Sequence, residues 1–137
     1  MTLYCDASSL VKLYVSEPGS DEVRALADEA AVVATSVIAF AETRAALARL
    51  RREKLLPPAA FAKAKRRFDA DWASIASVSL DDDQLRRAGD LAGRFALRAM
   101  DGIHLAAFGS IPERAGDEDV QFSSFDDRLV RAAKKLR

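Results

Sequence analysis

The chain has few of the residues on which many site chemistries depend: its 137 positions include one cysteine and one histidine. A lone cysteine, Cys5, closes no internal disulfide, and with no second thiol it makes a poor soft-metal site. The expectation for it is a small buried strand residue. A lone histidine, His104, does not furnish a zinc centre of the usual composition, and no nearby Ser or Cys completes a convincing triad with it. Excess charge of one sign is missing too. Lys plus Arg and Asp plus Glu number 21 each, so the whole-molecule field gives no argument for attraction to nucleic acid. No apolar run is long enough to cross a bilayer, and the opening MTLYCDASSL reaches an acid at position 6 without a basic start. A cytoplasmic protein without a signal peptide or membrane span is expected. Linkers, repeats and low-complexity stretches are also lacking, which with this length predicts a single domain over residues 1–137.

What is present is an apolar half of the sequence, arranged as short β-like runs alternating with helical ones. That alternation predicts an α/β layer fold with a parallel sheet. The first strand, Thr2 to Cys5, ends at Asp6, and Ser8 or Ser9 is placed to cap a helix through Lys12 and Tyr14. Glu17-Pro18-Gly19-Ser20 breaks it before a helix over Asp21 to Glu29. A second strand covers Ala31 to Thr35, and a long helix runs from Val37 to about Leu55, where Pro57-Pro58 interrupts it. In the next helix Phe61, Phe68, Trp72 and Ile75 fall at i, i+7, i+11 and i+14, one apolar face that reads as core or dimer contact rather than a base-stacking platform. Ser77 to Leu80 is the third strand, and Asp81, Asp82 and Asp83 suit the positive start of the helix to Phe95. A helix from Met100 to Ser110 follows. A polar loop through Gly116, Asp117 and Glu118 then leads to a fourth strand, Val120 to Ser123, and a closing helix from Asp127.

Right-handed crossovers put the second and third strands on one side of the first and the fourth on the other, a sheet order of 3-2-1-4. Winding reverses between strands one and four, and ligands of open α/β sheets sit at the carboxyl ends of strands at such a point. Asp6 and Asp126 end those two strands.

Two further acids stand out because of their neighbours. Glu42, in IAFAETRAALARL, has Ile38, Ala45 and Ala46 at i−4, i+3 and i+4, so it interrupts a mostly apolar surface. Asp101 has Leu97, Leu105 and Phe108 on its own helical face and should be partly buried; an ionised carboxylate there needs a cation, a hydrogen-bond network or a proton. A salt bridge to Arg98 or His104 would satisfy it structurally. His104 itself reads as a hydrogen-bonding residue of the core or behind the site. Asp6 suits helix capping as well as catalysis, and Asp126 competes with Asp127 for the last position. Ser124 is placed to bond the Asp126 carboxylate, and Ser8 to support the site, contact phosphate or cap. Four acids gathered in one cleft repel one another, and a hard divalent ion such as Mg²⁺ or Mn²⁺ with oxygen ligands removes the conflict. Such ions activate water and stabilise a leaving oxygen in phosphoryl chemistry.

The motifs CDASSLVKLY, AFAE, LRAMDGIHLA and SSFDDRL, in this order, resemble the PIN domain, specifically the VapC-like toxins of toxin–antitoxin pairs, over essentially the whole chain. The resemblance implies a three-layer fold with a central, mostly parallel sheet, with room for a short additional strand. It implies a metal-binding cluster at the matching positions Asp6, Glu42, Asp101 and Asp126. It also implies an Mg²⁺- or Mn²⁺-dependent endoribonuclease acting on structured RNA, often tRNA or rRNA; in-line attack by metal-activated water with a 3′ oxygen leaving would give 5′ phosphate and 3′ hydroxyl ends. The implied partners are a cognate VapB-like antitoxin and a second copy of the chain in a homodimer. Basic residues between Arg44 and Arg67 are candidates for phosphate contact, although such a run usually forms a solvated helix face. Two other readings compete. A receiver-like phosphoacceptor domain would want an acceptor Asp after a middle strand, and Ser77-Val78-Ser79-Leu80 offers none. A catalytically silent PIN-like module, binding protein or RNA, would be favoured by loss of a core acid, and all four acids are present.

Overall fold

The computed structural model describes residues 1–115 and 119–136. Four strands, β1 (Thr2–Cys5), β2 (Val32–Ser36), β3 (Ala76–Val78) and β4 (Val120–Ser123), form one parallel sheet in the order β3-β2-β1-β4. This is the order expected from right-handed crossovers, and no additional strand joins it among the described residues. The third strand ends at Val78 rather than Leu80, because Asp81 has already turned to accept a hydrogen bond from the Gln84 N–H as a helix cap. The loop expected through Gly116, Asp117 and Glu118 lies outside the described residues.

Side chains alternate across the central strand and divide the core in two. Leu3 and Cys5 point to one face, under the helices α1 (Ala7–Leu10), α2 (Ser20–Glu29), α3 (Ala39–Arg52) and α4 (Pro58–Asp71), where they join Leu10, Val23, Leu47 and Phe68. Tyr4 points to the other, under α5 (Asp82–Phe95), α6 (Ala99–Ala115) and α7 (Asp127–Leu136), among Leu105, Phe108 and Leu129. Helices therefore cover both faces, which gives the central strands their nearly continuous burial. Cys5 is the fully buried strand residue its context suggested; burial and the neighbouring Asp6 push its thiol up to about 12, so it stays protonated.

The apolar stripe of α4 is core. Phe68 is fully buried, with the rings of Phe40, Tyr14 and Trp72 at 5.5, 5.3 and 5.8 Å from its own, and Phe61 and Ile75 pack on the same cluster. The long helix expected to reach Leu55 stops at Arg52, because Lys54 enters the left-handed region (φ 60) and the N–H groups of Leu55 and Leu56 return to the Leu50 carbonyl. The α6 helix runs past Ser110 to Ala115. Its approach to α5 depends on Gly102: a Cβ there would stand 2.6 Å from the Ala88 carbonyl oxygen. That close packing sets the position of Asp101 and His104. Among the described residues no helix is long and apolar enough to cross a membrane.

Candidate active site

The four acids singled out by sequence lie on four elements that meet at the carboxyl end of the sheet. Asp6 directly follows β1, and Asp126 follows β4 after Ser124 and Phe125. Glu42 and Asp101 stand in the first turns of α3 and α6.

Asp6 is the most enclosed of them, 5% exposed. It caps α1 through Oδ1, accepting from the Ser9 N–H at 3.1 Å; Ser8 and Ser9, expected as the caps, do not fill that role. A carboxylate at the strand end already points at the first free N–H groups of the helix, which leaves the serines for other work. Ser8 donates its hydroxyl to Oδ1 at 2.6 Å, and Ser124 donates to Oδ2 at 2.5 Å. Ser124 thus bonds Asp6, not the Asp126 carboxylate as the sequence suggested; from Asp126 it accepts the backbone N–H, at 3.1 Å. Burial raises the Asp6 carboxyl above its ordinary value, and the hydroxyl donors Ser124 and Ser8 and the Ser9 N–H offset only part of that rise. Among the described residues its side-chain bonds are to neutral groups, and none brings a cation to the buried charge.

Glu42, 28% exposed at its side chain, meets His104 across the gap between α3 and α6, with Oε1 2.7 Å from Nε2. His104 is 2% exposed, and its Nδ1 lies 2.8 Å from the hydroxyl of the fully buried Tyr4. An ionised carboxylate only accepts, so Nε2 carries the proton; Nδ1 then accepts from Tyr4, whose hydroxyl is kept protonated mainly by burial, with the charges of Asp6 and Glu42 adding to the effect. One tautomer satisfies every link. The Tyr4 ring is itself fixed by stacking on Phe122 at 5.6 Å and by the edge of Phe108 at 5.9 Å. Sequence reasoning placed His104 behind the site and missed Tyr4, although strand alternation puts residue 4 on the face covered by α6.

Asp101 is 17% exposed, partly buried as its apolar helical face required, and its partner is Arg98, with Nε 3.3 Å from Oδ2. The same guanidinium reaches Asp126, with Nη2 3.7 Å from Oδ2. Asp126 caps α7 with its other oxygen, accepting from the Leu129 N–H at 3.1 Å, while Asp127 is exposed in the first turn. Asp6, Asp126 and Asp101 are thereby joined in one chain of contacts. Asp6 connects through Ser124 to the Asp126 backbone and Asp126 to Asp101 through Arg98, while Glu42 is bonded to His104, one helical turn along α6 from Asp101. The basic run between Arg44 and Arg67 behaves mostly as a helix surface: Arg44 makes a two-oxygen pair with Asp69, Arg49 pairs with Glu53, and Arg51 and Arg67 lie over the rings of Phe61 and Tyr14.

For a metal the donor set is all hard oxygen, since Cys5 is buried and both nitrogens of His104 are engaged. That chemistry suits Mg²⁺ or Mn²⁺ rather than zinc. Among the described residues, no group of three or more acids, His or Cys stands close enough together to hold an ion. Burial raises the Asp6 carboxyl, and the Arg98 guanidinium stands between Asp101 and Asp126.

A parallel sheet of this order with acids collected at its switch point defines a recognisable class. The PIN domain family model matches residues 3–135, and the chain belongs to that family. Within it the chain is VapC-like. Ribonuclease VapC49 of Mycobacterium tuberculosis (strain H37Rv) is 36% identical over 131 residues, 96% of this chain and 88% of the relative. Ribonuclease VapC45 (strain CDC 1551) matches to the same extent. Ribonuclease VapC46 (strain H37Rv) is 34% identical over 134 residues, 98% of this chain and 92% of that protein.

Proposed function

We propose that this protein is the endoribonuclease toxin of a toxin–antitoxin pair, hydrolysing RNA phosphodiester bonds with Mg²⁺ or Mn²⁺ held by Asp6, Glu42, Asp101 and Asp126. The observation that carries the reading is the gathering of these four acids at the carboxyl end of the sheet, with Ser124 bonded to Asp6 and to the Asp126 N–H, Arg98 shared by Asp101 and Asp126, and Glu42 bonded to His104 one helical turn along α6 from Asp101. The names of its relatives support RNA as the substrate.

A bound divalent ion supplies neutralising charge, an activated water and stabilisation of the leaving 3′ oxygen. The chain's own residues prepare for it. Ser8, Ser9 and Ser124 hold the Asp6 carboxylate in one orientation before anything binds. His104 holds one oxygen of Glu42 and leaves the other to orient a cation or a water. Asp101 and Asp126 offer carboxylates on the open side of the cleft. The remaining parts of the proposal are a tRNA or rRNA target, a VapB-like antitoxin, a homodimer and a cytoplasmic location.

The test uses protein freed of any partner, a set of cellular RNAs and a titration with Mg²⁺ and Mn²⁺, with the cut ends mapped. Metal-dependent cleavage leaving 5′ phosphates is expected. Asp101→Asn should reduce it on the order of a hundredfold while the protein stays folded, because shape is kept and charge is lost. No cleavage of any RNA by folded wild-type protein would favour a silent binding module instead.

A further inference from the structure

Beside the acids runs a cleft of about 520 Å³, lined by Arg98, Arg128 and Arg131 together with Asp101, Asp126, Asp127 and one aromatic ring, Phe125. The ring is 43% exposed, which is unusual for a phenylalanine, and it is held firmly. On one side lie Gly19 and Lys12. A Cβ at Gly19 would come within 2.5 Å of the ring carbon Cε1, so that position, at φ 95, leaves space for the ring. The Lys12 Nζ sits 4.6 Å from the ring centroid and is itself fixed by Glu17 at 2.9 Å. The Phe125 N–H donates to Ser8 Oγ at 3.0 Å, and that hydroxyl also bonds Asp6. A supported, partly exposed aromatic ring is therefore tied by two bonds to the most enclosed acid of the site and is next in sequence to Asp126.

Resting on the ribonuclease reading above, we infer that Phe125 is a stacking platform for an unpaired RNA base, and that Arg98, Arg128 and Arg131 hold the phosphates beside it. The chemistry of the cleft selects this occupant. Among the described residues Phe125 is its only apolar lining residue, too little for a hydrophobic peptide, whereas one π-face among several guanidinium groups suits a nucleotide that offers a base and a phosphate together. Paired bases keep their faces in the duplex stack, so the site selects a loop, bulge or single strand. Arg128 is steadied by its bond to the Ala96 carbonyl at 3.2 Å, and Arg131 is exposed on the next turn of α7.

The experiment measures fluorescence anisotropy in an Asp101→Asn background, using a labelled single-stranded oligouridine, the same strand made abasic, and an RNA duplex of equal length. Phe125→Ala is expected to weaken the single strand roughly ten- to a hundredfold and to leave the abasic strand and the duplex almost unchanged. Phe125→Tyr should bind like the parent, and Phe125→Leu like the alanine variant, which separates stacking from simple apolar contact. Arg131→Gln should lower the slope of log affinity against log salt by roughly 0.7, one phosphate's worth on a single strand. Equal loss for normal and abasic strands, or full affinity in Phe125→Leu, overturns the platform. If wild-type protein cleaves RNA while Phe125→Ala binds normally, the platform falls and the ribonuclease reading stands. If wild-type protein neither binds nor cleaves, both fall.

Discussion

The four acids divide into two pairs by the kind of partner each has, and the division does not follow depth. Asp6 and Glu42 are held by neutral hydroxyls, a backbone N–H and an imidazole N–H. Asp101 and Asp126 share a guanidinium. Asp101, at 17% side-chain exposure, is more enclosed than Glu42 at 28%, yet it is Asp101 that has the cation. Hydroxyl donors fix direction without cancelling charge, whereas an arginine on the rim cancels charge and can swing away. The first pair therefore acts as a rigid mount with a surplus of negative charge, and the second as a mouth whose charge balance is adjustable.

If that contrast holds, the largest effect comes from the rigid pair. Asp6→Asn should reduce cleavage by roughly a hundredfold or more, at the upper end of the losses seen around metal sites. It should also make the metal-free protein more stable at neutral pH. The sign follows from burial raising the Asp6 carboxyl. An acid with a raised folded pKa binds its proton more tightly in the folded chain than in the unfolded one. Its unfavourable contribution is absent below the unfolded value of about 3.9, grows as pH rises towards the folded value, and is complete above it. Asparagine removes that contribution, so the variant should melt above wild type at pH 7, with the gap closing as the pH falls through the same window. Thermal melts of both proteins across pH, without metal, check this. A variant that melts lower at pH 7 would show that the serine bonds outweigh the burial of charge.

The next effect belongs to the relay behind Glu42. His104→Gln should lower kcat roughly ten- to a hundredfold with KM little changed, because Glu42 loses its orientation while the cleft proposed to hold RNA, which Glu42 does not line, is left as it was. Tyr4→Phe keeps the ring packing but leaves Nδ1 of His104 buried without its donor, at a stability loss of about 1–3 kcal/mol. Nitrogen NMR of His104 gives the decisive signature: the proton should reside on Nε2 in wild type, and Tyr4→Phe should disturb that tautomer preference. Full kcat in His104→Gln would make the relay purely structural.

The sheet order was legible from the sequence because strand spacing and crossover handedness leave few choices, and the candidate acids because each interrupts an apolar pattern or ends a strand. The bonding among them was not. Whether Ser124 serves Asp6 or Asp126 depends on a turn of two residues, and the distance between them along the chain, 6 to 124, carries no periodic signal. Tyr4 was hidden for a related reason. Alternation gives its face, but only the packing of α5 on Gly102 brings His104 over it. Phe125 was hidden because its seat depends on the space left by Gly19, more than a hundred residues away in a turn whose sequence signals only a helix break.

The smallest effect tests the adjustable pair. Arg98 is 83% exposed, and exposed ion pairs contribute about 0–1 kcal/mol, so its hold on Asp101 and Asp126 is weak enough for a divalent ion to displace. Arg98→Gln should leave the melting temperature of the metal-free protein nearly unchanged and tighten Mn²⁺ binding by up to roughly fivefold, the equivalent of that energy, as read by calorimetry. The same variant should bind RNA more weakly, since the displaced guanidinium lines the cleft and is then available to phosphate. Opposite signs for metal and RNA are the diagnostic. If Arg98→Gln weakens both, the guanidinium organises the two carboxylates rather than competing for them, and the distinction between a fixed and an adjustable pair disappears.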